Sequence, residues 1–133
     1  MGVVVFDADV LIGFVDPADA HHADAVAWMR EATRPQTERR ICAVNYSELL
    51  IAPIRERRDE QVRAMLAGLS IIPVPVDADL AERAADVRAR TNLKLPDAYA
   101  LATALHFEGH GRADVRLASF DKRVLKAHAD LRP

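Results

Sequence analysis

Short apolar runs alternate along the chain with segments in which apolar residues recur every three or four positions. Four short runs are predominantly apolar, and the first of them is continuous and rich in β-branched residues: Val3–Phe6, Ile41–Val44, Ile71–Val76 and Val115–Ala118. Runs of this length and composition are typical of strands that are buried on both faces of a parallel sheet. The pattern therefore predicts four strands.

Amphipathic segments separate these runs and predict helices. After the Asp16-Pro17 turn, Asp19 is placed to cap a first helix, which Arg34-Pro35 closes. The other helices are predicted from Asn45 or Ser47 to a limit or kink at Pro53, over Arg55–Leu69, from about Leu80 to Arg90 behind the cap Asp77, from Pro96 to near Gly109, and from the cap Asp121 through Leu125.

Strands that alternate with helices predict an α/β fold, a three-layer sandwich in which helices cover both faces of a parallel sheet. The chain shows no internal repeat and no linker long enough to separate domains, so we expect one domain over residues 1–133. In such sheets, ligands bind beyond the carboxyl ends of the strands. The residues that follow the predicted strands are therefore the first candidates for a functional site.

Composition narrows the functional class. Half of the residues are hydrophobic and 29% are charged, which is typical of a soluble globular protein. The single cysteine, Cys42, excludes an intrachain disulfide and fits a reducing cytoplasm, and the apolar run after Met1 is too short to span a membrane.

The formal net charge of −2 provides no global attraction to nucleic acid, so any site for a polyanion must be local. The arginines form two clusters, and most of their members are best interpreted as residues of solvated helix faces. These clusters consist of Arg30, Arg34, Arg39 and Arg40, and of Arg55, Arg57, Arg58 and Arg63.

Four carboxylates follow predicted strands or begin predicted helices: Asp7, Glu48, Asp97 and Asp121. All can gather at one edge of the sheet, where their repulsion calls for a hard divalent cation such as Mg2+ or Mn2+. No spaced cysteines or paired histidines indicate zinc. A cation held in this way supports hydrolysis of phosphodiesters. Each carboxylate is equally well explained as a helix cap, so spacing alone leaves both interpretations open.

Four segments together resemble PIN-domain toxins of the VapC type, in matching order and spacing over almost the whole chain. They are Val-Phe-Asp7-Ala-Asp9-Val-Leu-Ile12, Asn45-Tyr-Ser-Glu48-Leu-Leu50, Leu93-Lys-Leu-Pro-Asp97-Ala-Tyr-Ala-Leu-Ala-Thr-Ala104 and Leu117-Ala-Ser-Phe-Asp121. The resemblance implies a PIN-like fold and an Mg2+- or Mn2+-dependent endoribonuclease that cleaves structured RNA such as tRNA or rRNA. It also implies a homodimer and a cognate antitoxin that covers an apolar groove and blocks the active site.

The resemblance assigns roles to individual residues. It implies that Asp7, Glu48, Asp97 and Asp121 are the metal-binding set and that Ser119, where relatives usually have threonine, orients them. Asp9 stands where relatives commonly carry a small polar residue, and we interpret it as a supporting acceptor. Because the sequence ends at Pro133, there is little room for the fifth edge strand of many relatives, so four or five strands are expected.

Two other functions are compatible with parts of the pattern. Phe6-Asp7-Ala-Asp9 resembles the Asp-x-Asp start of haloacid-dehalogenase-type phosphohydrolases, but Val10 replaces the usual glycine and no downstream lysine and aspartates complete that set. A non-catalytic interaction module that keeps the fold is the second alternative. The filled acidic positions argue against it without proving turnover.

Overall fold

A computed structural model describes residues 1–133, which form four strands and seven helices. The strands are β1 (Gly2–Phe6), β2 (Thr37–Cys42), β3 (Ile71–Val74) and β4 (Asp114–Ala118). The helices are α1 (Ala8–Val15), α2 (His22–Ala32), α3 (Ala43–Arg55), α4 (Asp59–Gly68), α5 (Ala78–Thr91), α6 (Leu95–Gly109) and α7 (Lys122–Leu131).

The strands form one parallel sheet in the order β3-β2-β1-β4. In the centre, Phe6 at the end of β1 is in register with Ile41 of β2 and Ala118 of β4. The carboxyl ends of these three strands therefore lie side by side. The sheet has four strands and no fifth.

Side chains of β1 alternate between two hydrophobic clusters, as the pleat of a strand requires. Val3 and Val5 pack with residues of α5 and α6 on one face, whereas Val4 and Phe6 pack with residues of α1 to α4 on the other. All four side chains are buried. The predicted three-layer α/β sandwich is thus confirmed.

Helix α1 was not predicted from the pattern. Asp7 caps it by accepting a hydrogen bond from the N–H of Ala8, and Val10 and Leu11 are buried within it. Its sequence is apolar on nearly every face and includes Gly13, so it lacks the polar positions that reveal a helical period. The first predicted helix begins at His22, behind the turn that contains Asp19.

Strand β2 begins four residues before the predicted Ile41, since Thr37–Arg40 already pair with β1, and it ends at Cys42. The partly buried Arg39 explains the early start: its guanidinium donates to the carbonyl oxygens of Leu69 at 2.6 Å and Ala32 at 2.8 Å, near the ends of two helices. Arg39 is therefore an exception among the clustered arginines, because it does not belong to a solvated helix face.

Helix α3 begins at Ala43, so Val44 is helical and not part of a strand, and α3 continues through Pro53 to Arg55. Helix α4 begins only at Asp59, and α7 extends to Leu131, well beyond the predicted Leu125. No helix combines the length and the apolar character needed to cross a bilayer.

The predicted caps Asp77 and Asp121 are confirmed. Asp77 accepts from the N–H of Leu80 at 2.8 Å and Asp121 from that of Arg123 at 2.9 Å. These bonds satisfy amide groups that have no partner within the helix.

Candidate active site

Asp7 lies at the centre of the carboxyl edge of the sheet, immediately after β1. Its N–H continues the ladder to the Ala118 carbonyl oxygen at 2.8 Å. Its carboxylate accepts from the N–H of Ala8 at 2.8 Å through Oδ1 and from the hydroxyl of Ser119 at 3.0 Å through Oδ2. The residue is only 3% exposed, so the orientation of this carboxylate is fixed by the fold.

The turn between β4 and α7 is tied to Asp7 and to Asp9. Ser119 Oγ donates to Asp7 and accepts from the N–H of Asp121 at 3.1 Å. Asp9, in the first turn of α1, accepts from the N–H of Phe120 at 2.9 Å through Oδ2. Ser119 and Asp9 thus make contacts suited to holding other site residues in place, and their role at a metal centre stays a prediction.

Asp97 and Asp121 complete a group of aspartates around Asp7. Asp97 lies in the first turn of α6, beside the Asp7 carboxylate. Asp121 caps α7, and its carboxylate is paired with the guanidinium of Arg123, which approaches Oδ2 to 3.1 Å. The structure therefore brings Asp7, Asp9, Asp97 and Asp121 close enough for their charges to affect one another.

Burial and mutual repulsion raise three of the four pKa values. The pKa of Asp7 rises to about 7, first because the carboxyl is buried and second because Asp9 and Asp97 are close. Burial also raises the pKa of Asp9 and of Asp97, where the charge of Asp121 adds to the effect. The pKa of Asp121 is lowered, mainly by the hydrogen bond from the Arg123 side chain.

Glu48 is connected to this group through Asn45. The amide nitrogen of Asn45 donates to Glu48 Oε1 at 3.1 Å and to the carbonyl oxygen of Pro96 at 3.0 Å. Asn45 is completely buried, and it links α3 to the residue before Asp97. Of the predicted set, Glu48 is the member that the structure places beside the aspartate group and not within it.

Two residues of this region were not predicted as site residues. Asn45 shares a helical face with Glu48, three residues away, and this spacing was a usable signal. Arg123 follows Asp121 by two residues, and nothing in the sequence separates it from other arginines on helix surfaces. Its contact with Asp121 emerges only from the start of α7.

The donor atoms available at this edge are carboxylate and amide oxygens, which suit a hard divalent cation. Oδ1 of Asp9 and Oδ1 of Asn45 are buried and have no hydrogen-bond partner. As the side chains stand, no three acidic, histidine or cysteine side chains surround a common point. The residues fit such a cation by chemistry and charge, provided that the carboxylates draw together and Asp121 releases Arg123.

The family model described as the PIN domain matches residues 4–131. No curated protein matches the chain.

Among solved structures, the crystal structure of Mycobacterium tuberculosis VapC20, described as a sarcin-ricin loop cleaving toxin, aligns with a TM-score of 0.69 and 18% identity, covering 98% of this chain and 99% of that one. A toxin-antitoxin complex from Klebsiella pneumoniae aligns with a TM-score of 0.66 and 24% identity over 89% and 86% of the two chains. VapBC2 from Rickettsia felis, bound to a DNA fragment from its promoter, aligns with a TM-score of 0.57 and 12% identity over 90% and 99%.

At such identities these structures establish a shared fold, which confirms the predicted PIN-like architecture. The family model is independent of them and covers nearly the entire sequence. The chain therefore belongs to the PIN domain family.

Proposed function

We propose that the protein is a metal-dependent endoribonuclease, the toxin of a toxin-antitoxin pair, and that it hydrolyses phosphodiester bonds of structured RNA such as tRNA or rRNA. The observation that carries the proposal is the group of buried, mutually repelling aspartates at the carboxyl edge of the sheet in a PIN domain. The likeness to a toxin described as cleaving the sarcin-ricin loop supports RNA as the substrate.

Asp7, Glu48, Asp97 and Asp121 would hold the cation, Mg2+ or Mn2+, with Asp9 and Ser119 as supporting residues. When bound, such a cation supplies charge neutralisation at the scissile phosphate and a water acidic enough to attack near neutral pH. In the proposed reaction the water oxygen would bond to phosphorus and release a proton, the bond from phosphorus to the leaving ribose oxygen would break, and that oxygen would take up a proton to end as a hydroxyl.

The residues of the chain contribute position and charge. Ser119 and the N–H of Ala8 fix the Asp7 carboxylate, and Asp9 fixes the turn that carries Asp121. Arg123 lies next to the acidic group. Its guanidinium can contact a phosphate once it no longer pairs with Asp121. Positioning of this kind gives hydrolysis its geometry.

The resemblance also supports a cytoplasmic homodimer and a cognate antitoxin that covers the site. Neighbouring structures are described as toxin-antitoxin complexes, which supports the antitoxin as partner. The PIN match over residues 4–131 argues against the haloacid-dehalogenase alternative.

Substitution of single aspartates tests the nuclease. Asp7→Asn and Asp97→Asn, which keep the shape and remove the charge, should each abolish Mn2+-dependent cleavage of a mixture of tRNA and rRNA while the circular dichroism spectrum is retained. Glu60→Gln, at an exposed position on α4, is the control and should cleave like the wild type. Full activity of both site variants would overturn the proposal.

A non-catalytic module with the same fold is the second candidate, and it is favoured by the lack of a preformed acidic cage and by the Arg123–Asp121 pair. Melting curves with increasing Mn2+ separate the two. A cation site raises the melting temperature by mass action, and the rise should be absent in Asp97→Asn. An interaction module without a cation site would melt at the same temperature with or without Mn2+.

A further inference from the structure

A groove with basic walls lies between the end of α5 and α7. The groove, about 510 Å³ in volume, is lined by three cationic side chains, Arg90, Arg123 and Lys126, and by one acidic side chain, Asp130. Neither of the two arginine clusters noted in the sequence contributes to it. In a chain with a net charge of −2, this is a local site of the kind that a polyanion requires.

The groove adjoins the aspartate group through Arg123. The same guanidinium that lines the groove contacts Asp121 at 3.1 Å, and its charge also acts on Asp97. A ligand that lies in the groove and passes Arg123 therefore reaches the acidic residues directly.

The cations of the groove are available to a ligand. The side chains of Arg90 and Lys126 are 64% and 78% exposed, and each is engaged only by an acidic residue four positions away on its own helix, Asp86 and Asp130 respectively. Exposed ion pairs of this type contribute little to stability, so a phosphate can replace the carboxylate at little cost.

The other residues that line the groove favour binding of a phosphate backbone over binding of nucleic-acid bases. Leu93, Ala127 and Leu131 give the groove an aliphatic floor, and no aromatic side chain lines it. Grooves that read bases of single strands stack them on aromatic residues, whereas phosphates need only cations along a track. Arg123 and Lys126 lie three residues apart on α7 and so face the same side of the helix.

We propose that this groove, lined by Arg90, Arg123 and Lys126, binds the phosphate backbone of the RNA strand that enters the acidic site. The inference rests on the proposed nuclease function and adds to it the path of the substrate. Binding there is independent of base sequence, because the contacts are to phosphates.

Steady-state cleavage of the tRNA and rRNA mixture with Mn2+ tests the groove. Arg90→Gln and Lys126→Gln should each raise KM by about 3- to 10-fold, more than they lower kcat, because they remove binding made equally in the ground and transition states. The slope of log kcat/KM against log salt should become shallower by up to about 0.9 per lost phosphate contact.

Two further variants make the result specific. Arg63→Gln breaks an Asp-to-Arg pair of the same spacing on α4, on the opposite layer, and should leave KM unchanged. Asp130→Asn removes the acid of the groove and frees Lys126, so it should lower KM, a gain that misfolding cannot produce.

The outcomes separate the two proposals. If the wild type cleaves RNA and the groove variants have the same KM as Arg63→Gln, the proposal that the groove binds RNA is overturned and the proposed nuclease function is retained. The same holds if Asp130→Asn raises KM, and an acidic segment of a partner protein then becomes the better occupant. If the wild type cleaves no RNA, both the proposed nuclease function and the proposed role of the groove are overturned.

Discussion

Removal of one charge from the aspartate group should stabilise the metal-free protein. The carboxyl of Asp7 is 3% exposed and its pKa rises from 3.8 to about 7. A raised pKa of an acid means that the folded chain binds the proton more tightly than the unfolded chain. The contribution of Asp7 to the free energy of unfolding is therefore greatest below about pH 4, and it falls as the pH rises to about 7.

The size of the effect follows from the shift. At about 1.4 kcal/mol per pKa unit, the ionised Asp7 costs about 4 kcal/mol of folding free energy at pH 8, and less than half of that at pH 5. In Asp7→Asn the amide oxygen can still accept from the N–H of Ala8. The hydrogen bond with Ser119 has to change direction, because the new amide nitrogen donates where the carboxylate oxygen accepted. We expect a net gain of about 2 kcal/mol at pH 8 and a smaller one at pH 5.

Urea unfolding in EDTA at both pH values measures this difference. Asp86→Asn, on an exposed surface, is the control and should change the unfolding free energy by less than about 0.5 kcal/mol. The reasoning is refuted if Asp7→Asn is no more stable than the wild type at pH 8, or if its gain does not depend on pH. Such results would mean that the site carries no uncompensated charge.

Two further predictions concern charges that are paired. Arg123→Gln should bind Mn2+ more tightly, seen as a larger rise in melting temperature per added Mn2+, because Asp121 loses its competing partner, and yet it should raise KM for RNA. An unchanged response to Mn2+ would show that the ion pair does not compete with the cation. Glu108→Gln should lower the free energy of urea unfolding by about 1 to 3 kcal/mol, because the buried carboxylate accepts from His128 at 2.6 Å and from Arg132 at 3.0 Å, whereas exposed Glu60→Gln should change it little.

The sequence predicted those parts of the fold that have local signals. Strand β1 was predictable from the β-branched run Val3–Phe6. The caps Asp77 and Asp121 were predictable from their positions directly before a helical pattern. Helix α1 was missed because Asp9 is its only polar residue, which is too few to reveal a helical period. The start of β2 was missed because its arginines make their contacts with residues far away in sequence. Arg39 donates to carbonyl oxygens near two helix ends, and the Arg40 guanidinium lies over the ring of Phe107, 5.6 Å from its centroid.

The same distinction applies to the candidate site. The rule that sites lie at the carboxyl ends of parallel strands placed Asp7 and Asp121 at the same edge of the sheet, since Asp7 follows the central strand β1 and Asp121 follows its neighbour β4. The bond from the N–H of Phe120 to Asp9 and the bond from Asn45 to the carbonyl oxygen of Pro96 could not be predicted, because the two partners of each bond lie far apart in the sequence. Long-range contacts of this kind leave no periodic or spacing signal.

The way in which the charges of the site are compensated suggests how it would work. Asp7, with a pKa of about 7, is neutralised by a proton for much of the population near neutral pH, and Asp121 is neutralised by Arg123. Both compensating groups can leave without disturbing the hydrogen bonds that hold the carboxylates, which come from the main chain and from Ser119. Under the proposed function, a cation replaces the proton at Asp7 and the guanidinium at Asp121. Cation affinity should then rise with pH, and the guanidinium that is released faces the groove in which we place the RNA.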